Sequence, residues 1–404
     1  MYSNADSLMN KRTELEALVE IHKPEVISIT EVKPKNCRFE IQPSEVQLDG
    51  YELFHTLDKD GRGTCLHIKQ ELKPTAISTA NSFSESVFVE CKLANKESLI
   101  LGTVYRSPSI KDEATNNKLN KTISDIAALK ADHLVIVGDF NFPEIDWTLD
   151  KSTVGETHSA SKFFEMTKDT FLIQHQQEPT RIREGQNPTL DDLVFTNRED
   201  IVVNLSRLGA LGKSDHCTLL LELNLTSPEP TQQEKFNYHK ANFEGIRKFL
   251  DSVDWNGELS NKTAEEQWEV LTSKIEIAKT KFIPKRKPGL NTRKKWLDDK
   301  TLEIVREKHR KYRRWLRTKD KEDFKNYTKA RSKAKHACRK AKAAYEKKIA
   351  EEAKNNQKPI WSYIKAKMCT RSGISDLTKD WHNCKFRHGK GRSITSLFPE
   401  RVHK

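Results

Sequence analysis

The chain has 404 residues, with 35% apolar and 32% charged residues and a formal net charge of +13. That length exceeds a single domain core, and no run approaches the ~18 consecutive apolar residues of a membrane span. The opening Met1-Tyr2-Ser3-Asn4-Ala5-Asp6 carries neither the basic nor the apolar region of a secretory signal. The seven cysteines form no Cys-x-x-Cys pair and read as free thiols of a reducing compartment.

The charge is divided along the chain. Residues 1–225 hold 25 Lys+Arg against 35 Asp+Glu, a net of −10, and residues 226–404 hold 46 against 23, a net of +23. An acidic half is therefore joined to a basic one, and the basic surplus points to a nucleic-acid partner.

In the first half, Leu15, Leu18 and Val19 predict a helix over 11–21, and Leu119, Ile123, Ile126 and Ala127 predict another over 118–129. Strand-length apolar runs stand at 26–29, 98–104, 134–137, 193–195 and 217–221, each bounded by Gly, Pro, Asn or Asp. This alternation argues for an α/β sandwich. Pro228-Glu229-Pro230-Thr231 then reads as a linker. Residues 236–283 look helical and amphipathic, and a second break falls at 284–288.

Residues 291–350 hold 23 Lys+Arg against 8 Asp+Glu without Pro or Gly. Leu302, Val305, His309, Tyr312 and Leu316 follow helical spacing. Tyr327, Ala330, Ala334, Ala337, Ala341 and Ala344 make a narrow seam of their own. A hairpin of two basic helices turning near 318–323 is expected. Its aromatics Trp296, Tyr312, Trp315, Phe324 and Tyr327 are read as helix packing in preference to base stacking. The expected divisions are 1–225, a catalytic α/β domain; 226–290, a helical linker region; 291–370, a basic helical region; and 371–404, a tail.

The chemistry gathers where the first-half strands end. Glu31 follows the 26–29 run, Tyr105-Arg106-Ser107-Pro108 the 98–104 run, and Gly138-Asp139-Phe140-Asn141 the 134–137 run. Asp191-Asp192 and Ser214-Asp215-His216 open the last two. Polar groups at strand ends are how α/β scaffolds assemble sites. Several carboxylates, two asparagines, one tyrosine and one histidine, without a Ser or Cys beside a base, suit metal-assisted hydrolysis of a phosphate ester by water. Asp139 and Asn141 are two apart and face one side of an extended chain. Asp215 and His216 are adjacent and should point apart, so the carboxylate orienting His216 must come from elsewhere, with Asp192 the candidate. His22, His55, His67 and His133 read as surface or core histidines, Trp147, Phe163 and Phe164 as core. Cys369, His382, Cys384 and His388 lack zinc-ligand spacing.

The ordered set Asn4, Glu31, Tyr105, Gly138-Asp139-Phe140-Asn141, Asp192 and Ser214-Asp215-His216 resembles the endonuclease/exonuclease/phosphatase superfamily. Ser3-Asn4-Ala5-Asp6-Ser7-Leu8, Tyr105-Arg106-Ser107-Pro108, Pro179-Thr180-Arg181 and Asp192-Leu193-Val194-Phe195-Thr196-Asn197 are similar to the endonuclease module of non-LTR (LINE-type, jockey-like) retrotransposons. Tyr238-His239-Lys240-Ala241-Asn242-Phe243, Trp255, Phe282-Ile283-Pro284-Lys285 and Arg371-Ser372-Gly373-Ile374-Ser375-Asp376-Leu377 are similar to the region between that endonuclease and reverse transcriptase.

The resemblance implies a four-layer α/β sandwich, two mixed sheets flanked by helices, using Mg²⁺ or Mn²⁺. Glu31 would ligate the metal with Asn4 and Asp215 near it, and Asp192 would orient His216. His216 and Tyr105 would contact the scissile phosphate, and Asp139 and Asn141 would activate and align water or assist the leaving oxygen. Arg106, Thr180 and Arg181 would meet the DNA backbone, with Lys294 and Arg313 doing so from the basic helices.

Three departures are visible. Only three residues precede Asn4, so the sheet is expected to lose an edge. No Tyr-x-Asp-Asp of a reverse transcriptase occurs. Residues 381–404 have the look of out-of-frame translation, as of a truncated element copy. The expected partners are DNA and the element's own RNA, with no membrane. The expected place is the nucleus, with Lys285-Arg286-Lys287 and Arg293-Lys294-Lys295 as import signals. The competing readings are an abasic-site repair endonuclease or other phosphoesterase, and a catalytically dead nucleic-acid-binding remnant.

Overall fold

The computed structural model describes residues 1–58, 60–78, 82–183, 185–228, 235–286 and 293–368. The tail expected at 371–404, and most of the two breaks expected near 228–231 and 284–288, lie outside the described residues.

Strand β1 (Tyr2–Asn4), helix α1 (Arg12–His22), β2 (Val26–Thr30), the single turn α2 (Pro43–Val46), β3 (Tyr51–His55) and β4 (Cys65–Lys69) begin one sheet. Strands β5 (Thr75–Ala76), β6 (Ser86–Lys92), β7 (Ser98–Tyr105), helix α3 (Glu113–Ala127) and β8 (His133–Asp139) begin a second. A small ladder, β9 (Ile145–Asp146) with β10 (Lys151–Ser152), precedes helix α4 (Ser159–Asp169). Strands β11 (Ile173–Gln174) and β12 (Asp192–Thr196) then complete the second sheet. Strands β13 (Val202–Leu208) and β14 (Thr218–Leu223) return to the first.

The strand orders are β13-β14-β1-β2-β4-β3 and β11-β12-β8-β7-β6-β5. Each sheet has one parallel pair at its middle, β1 with β2 and β7 with β8, and antiparallel neighbours outside it. The three residues of β1 do not cost the sheet an edge, as was expected from the short start. They lie third in the order, between β14 and β2, and carry Asn4 to the middle of the molecule.

Strand alternation explains the layers. On β8, Val135 and Val137 face a core between the sheets with Tyr2, Leu101, Val194 and Leu219. Leu134 and Ile136 face the other way, against Leu119 and Ile123 of α3 and Phe163 of α4. On β2, Ile27 and Ile29 pack outward on Leu15 and Leu18 of α1, and Ser28 turns inward to accept a 2.9 Å hydrogen bond from Thr103. Two mixed sheets flanked by helices are the result, as the resemblance implied. Helix α3 starts at Glu113, before the predicted 118, because Asp112 caps it by accepting the Thr115 N–H at 2.7 Å.

Beyond the sandwich come α5 (Phe243–Asp251), α6 (Trp255–Leu259) and α7 (Ala264–Phe282), closed by a short ladder of β15 (Lys235–Phe236) with β16 (Lys285–Arg286). Helices α8 (Asp299–Thr318) and α9 (Lys321–Glu352) form the expected hairpin. Asp298 caps the first, and Asp320 starts the second by accepting the Glu322 N–H at 2.8 Å.

The hairpin is docked on the acidic half. Trp296, Leu302, Val305, Ala334 and Cys338 join the core under α1. Tyr312 and Tyr327 join the core between the sheets. The buried Lys308 ammonium lies 2.5 Å from Glu14 of α1, and Lys294 and Lys342 approach Glu16 at 3.2 and 3.7 Å. Met1–Lys348 form one compact unit on these contacts, and Ile349–Lys404 are a second containing α10 (Lys358–Met368). Among the described residues no helix is long and apolar enough to cross a membrane.

Candidate active site

The middle strands of both sheets end at one edge of the sandwich and deliver the site there. Gly138 makes the close approach possible, since a Cβ on it would lie 2.0 Å from the Val104 carbonyl oxygen of β7. The next residue, Asp139, ends β8 opposite Tyr105 and Asp192. Glu31 and Asn141 both have left-handed backbones, with φ of 50° and 49°. Such a conformation is uncommon for a glutamate and more readily taken by an asparagine.

Asn4, at the end of β1, stands between two carboxylates. Its Nδ2 donates to Glu31 Oε1 at 2.9 Å and to Asp139 Oδ2 at 2.8 Å. Asn141 Nδ2 donates to the other Asp139 oxygen at 2.5 Å and to the Arg106 carbonyl at 2.8 Å. Asp139 and Asn141 thus meet as expected, though through the turn that ends β8 and not along an extended strand.

His216 is buried, 4% exposed. Its Nδ1 lies 2.8 Å from Asp192 Oδ2, and its Nε2 faces Asp139 at 4.0 Å and Asp215 at 3.9 Å. Asp191 points elsewhere, to Thr189 and Arg181. The second Asp192 oxygen accepts from the Tyr2 hydroxyl at 2.7 Å, and the Asp192 amide donates to Thr180 Oγ1 at 3.1 Å. Asp192 is therefore held on both oxygens and its backbone.

Burial lowers the His216 pKa, but the Asp192 charge and hydrogen bond, then Asp139 and Asp215, outweigh it and push it up to about 10. Burial holds the Asp139 carboxyl well above its ordinary value; the His216 charge opposes this, and the Asp192, Asp191 and Glu31 charges add to it. Asp215 is half-buried, which favours its neutral form. The Arg181 and Arg183 hydrogen bonds, at 2.9 and 2.5 Å, and His216 hold it down to about 2.

The other anticipated residues fall into two groups. Tyr105 lies at the site, and burial, then the Glu31 and Asp139 charges, raise its pKa. Arg106 and Thr180 are buried. The Arg106 guanidinium is engaged inside the fold by Asn116, Ile110 and Asn141 and lies 4.0 Å from the Phe142 ring centroid. Thr180 serves the Asp192 backbone. Arg181 faces Asp215 and Asp191. Lys294 pairs with Glu16 of α1 and with Asp49 of the loop between α2 and β3, and Arg313 is exposed on α8.

Arg62, Glu85 and Tyr2 contribute to the site without any reading in the sequence, and Ser214 was read only as part of Ser214-Asp215-His216, with no role of its own. Arg62 reaches Glu31 at 2.7 Å from a loop between Gly61 and Gly63. Glu85 fixes that loop by accepting the Gly63 N–H at 2.6 Å. Tyr2 and Ser214 fix Asp192 and the His216 loop, and Ser214 Oγ donates to the Asn4 carbonyl at 2.8 Å. For Arg62 the signal is an arginine flanked by glycines, and it reads equally well as a turn.

The donor set suits a hard divalent cation. Asp139, Asp192 and His216 offer ligand atoms within 4.8 Å of one another, but Asp192 is already committed on both oxygens. Glu31, Asp139 and Asp215 are carboxylates lining one cleft, with Asn4 between the first two, and oxygen donors of this kind are the ones such a cation takes.

Residues 99–220 match the family model described as endonuclease-reverse transcriptase. The matched stretch contains Tyr105, Asp139, Asn141, Asp192, Asp215 and His216, which are most of the site.

Among solved structures, the catalytic domain of Xenopus laevis APE2 is 12% identical, with a TM-score of 0.46 over 57% of this chain and 93% of that one. The AP endonuclease LMAP from Leishmania major is 14% identical, with a TM-score of 0.44 over 55% and 85%. The endonuclease domain of TRAS1, a telomere-specific non-LTR retrotransposon, is 16% identical, with a TM-score of 0.42 over 55% and 97%. No curated protein sequence matches the chain.

Proposed function

We propose that the chain is a Mg²⁺- or Mn²⁺-dependent endonuclease that hydrolyses DNA phosphodiester bonds, nicking target DNA as an element of the non-LTR retrotransposon type does. The observation that carries this is the buried His216–Asp192 pair facing Asp139 across 4.0 Å, at the edge where both sheets end. Work on the element's own RNA, and residence in the nucleus, belong to the same proposal.

Each residue has a part to play. His216, held protonated by Asp192, donates from Nε2 to a phosphate oxygen and stabilises the charge that grows there as water attacks. Tyr105 donates its hydroxyl to the same phosphate. Asp139, desolvated and therefore a stronger proton acceptor than a surface carboxylate, takes the proton of the attacking water as the bond from phosphorus to the leaving sugar oxygen breaks, and that oxygen takes its proton from solvent. Asn141 and Asn4 hold its two oxygens, so it meets that water in one orientation. Glu31, with Asn4 and Asp215 beside it, would hold the divalent cation, which supplies Lewis-acid polarisation of the phosphate.

Supercoiled plasmid incubated with the protein and Mg²⁺ should be nicked. Chelator, Asp139→Ala and His216→Ala should each abolish the nicking. Nicking that survives both substitutions would sink the site assignment. Binding without any nicking would favour a dead nucleic-acid-binding remnant, and cleavage confined to abasic duplexes would favour a repair endonuclease.

A further inference from the structure

Arg331, Lys335 and Arg339 recur every fourth residue of α9 and share one side of that helix. The row begins at the catalytic loop. Arg331 lines a small pocket behind it with Ser214, Asp215, Tyr312 and Tyr327. Its guanidinium carbon lies 5.6 Å from the Tyr327 ring centroid, and its Nε is buried without a hydrogen-bond partner. The row ends at Arg339, which is exposed and donates to the Asn10 carbonyl and side-chain oxygens at 3.3 Å each.

Further positive charge stands beside the row. Burial, then the charges of Arg339 and Lys213, hold the Lys335 pKa below its ordinary value. Lys11, next to Asn10, is lowered first by burial and also by Lys335, while Asp6, Asp215 and Glu14 oppose this. Gathering these cations costs free energy in the isolated protein, and a polyanion laid along them recovers it. The opposite side of α9 differs, since Lys333 there pairs with Glu307 at 3.5 Å.

We propose that the Arg331–Lys335–Arg339 side of α9 is a phosphate-binding track for the duplex DNA that flanks the cleaved bond. This deepens the endonuclease reading and rests on it. The buried contacts of α8 and α9 with the sandwich give the track a fixed position relative to the Asp215-His216 loop. A duplex entering the cleft then meets both, with phosphates neutralised beyond the reacting one.

The test is fluorescence anisotropy of a duplex of about 40 base pairs, in chelator so that nothing is cut, from about 50 to about 200 mM salt. The full chain is compared with Arg331→Gln/Lys335→Gln/Arg339→Gln and with Lys329→Gln/Lys333→Gln/Lys340→Gln, which removes the same charge from the other side. The first variant should bind on the order of tenfold more weakly, with a log–log salt slope shallower by about 2–3. The second should stay within about twofold of the full chain. Equal effects of the two variants, no effect of the first, or loss of binding to single-stranded RNA alone would each overturn the track.

Should the triple variant melt early, Lys335→Gln/Arg339→Gln tests the same point, with the slope shallower by about 2. Because the binding is read without cleavage, a protein that binds along α9 but never nicks refutes only the endonuclease reading. One that nicks with an unchanged slope refutes only the track.

Discussion

The His216–Asp192 contact sets both the tautomer and the charge of the imidazole. Asp192→Asn keeps the size and the Tyr2 hydrogen bond, because the amide oxygen still accepts from that hydroxyl. It replaces the acceptor facing Nδ1 with an amide that can donate, and it removes the charge that holds the imidazole protonated. Nicking should fall about 10²- to 10⁴-fold while the circular dichroism spectrum is unchanged. A loss of less than about threefold would show that His216 acts without its partner.

A second histidine governs stability. His67 of β4 is fully buried with its Nε2 3.1 Å from the Val46 carbonyl, and burial lowers its pKa to about 4. The folded state disfavours the charged ring, so the unfolded chain binds the proton first as pH drops below its ordinary value near 6.5. The stability this residue protects is full above about pH 6.5 and is lost between there and about pH 4, on the order of 3 kcal/mol. His67→Gln keeps a donor for Val46 and has no proton to gain. Urea midpoints at neutral pH and near pH 4.5 should therefore drop less in the variant than in the parent, and equal drops would refute the assignment.

Between elements, the contact of α8 with α1 is a buried ion pair, with side chains 0% and 2% exposed. Lys308 also donates to the Ala210 carbonyl at 3.0 Å. Lys308→Met leaves the Glu14 carboxylate without its cation and should cost about 3–5 kcal/mol by urea unfolding. Lys308→Met/Glu14→Leu removes both charges and should regain most of that loss. A double variant as unstable as the single one would show that packing, and not the orphaned charge, sets the cost.

This pair was beyond reach in the sequence, although both helices were legible. The 3-4 spacing of Leu302, Val305 and Tyr312 shows that α8 has an apolar side, but not that the side rests on α1 some 290 residues earlier. The strands were plainer, because Val135-Ile136-Val137 needs two buried sides and only a sheet covered on both supplies them. In the site, residues borne on strand ends were found from order and spacing. Arg62 and Tyr2 were missed because their roles depend on which loop and which strand lie alongside, a property of the packed sheets alone.

At the scale of the Met1–Lys348 unit, the acidic half and the basic helices docked on it are one body. Lysines 294, 308 and 342 from the basic half meet Glu14 and Glu16 of the acidic half, so part of the charge division serves internal docking and the remainder of α9 is left for a polyanion. Tyr312 and Tyr327 close the core between the sheets, with ring centroids 4.9 Å apart, and the Tyr327 hydroxyl accepts the Ala210 N–H at 3.0 Å on the approach to His216. Cutting the chain after residue 225 would strip Leu302, Val305, Tyr312 and Tyr327 from these cores. Each is a side chain whose burial contributes about 1.5–3 kcal/mol, against a total stability of about 5–15 kcal/mol. It would also leave Glu14 and Glu16 without three cations. The 1–225 fragment should therefore melt about 10 °C or more below the full chain, or lose its cooperative transition and bind a hydrophobic dye. The loop carrying Asp215 and His216 should loosen with it, so nicking per molecule falls even at temperatures where the fragment is folded. A fragment that melts with the full chain and nicks as fast would show that α8 and α9 only rest on the sandwich. In that case the endonuclease would be complete in the first half, and the basic hairpin would act on DNA or RNA independently of it.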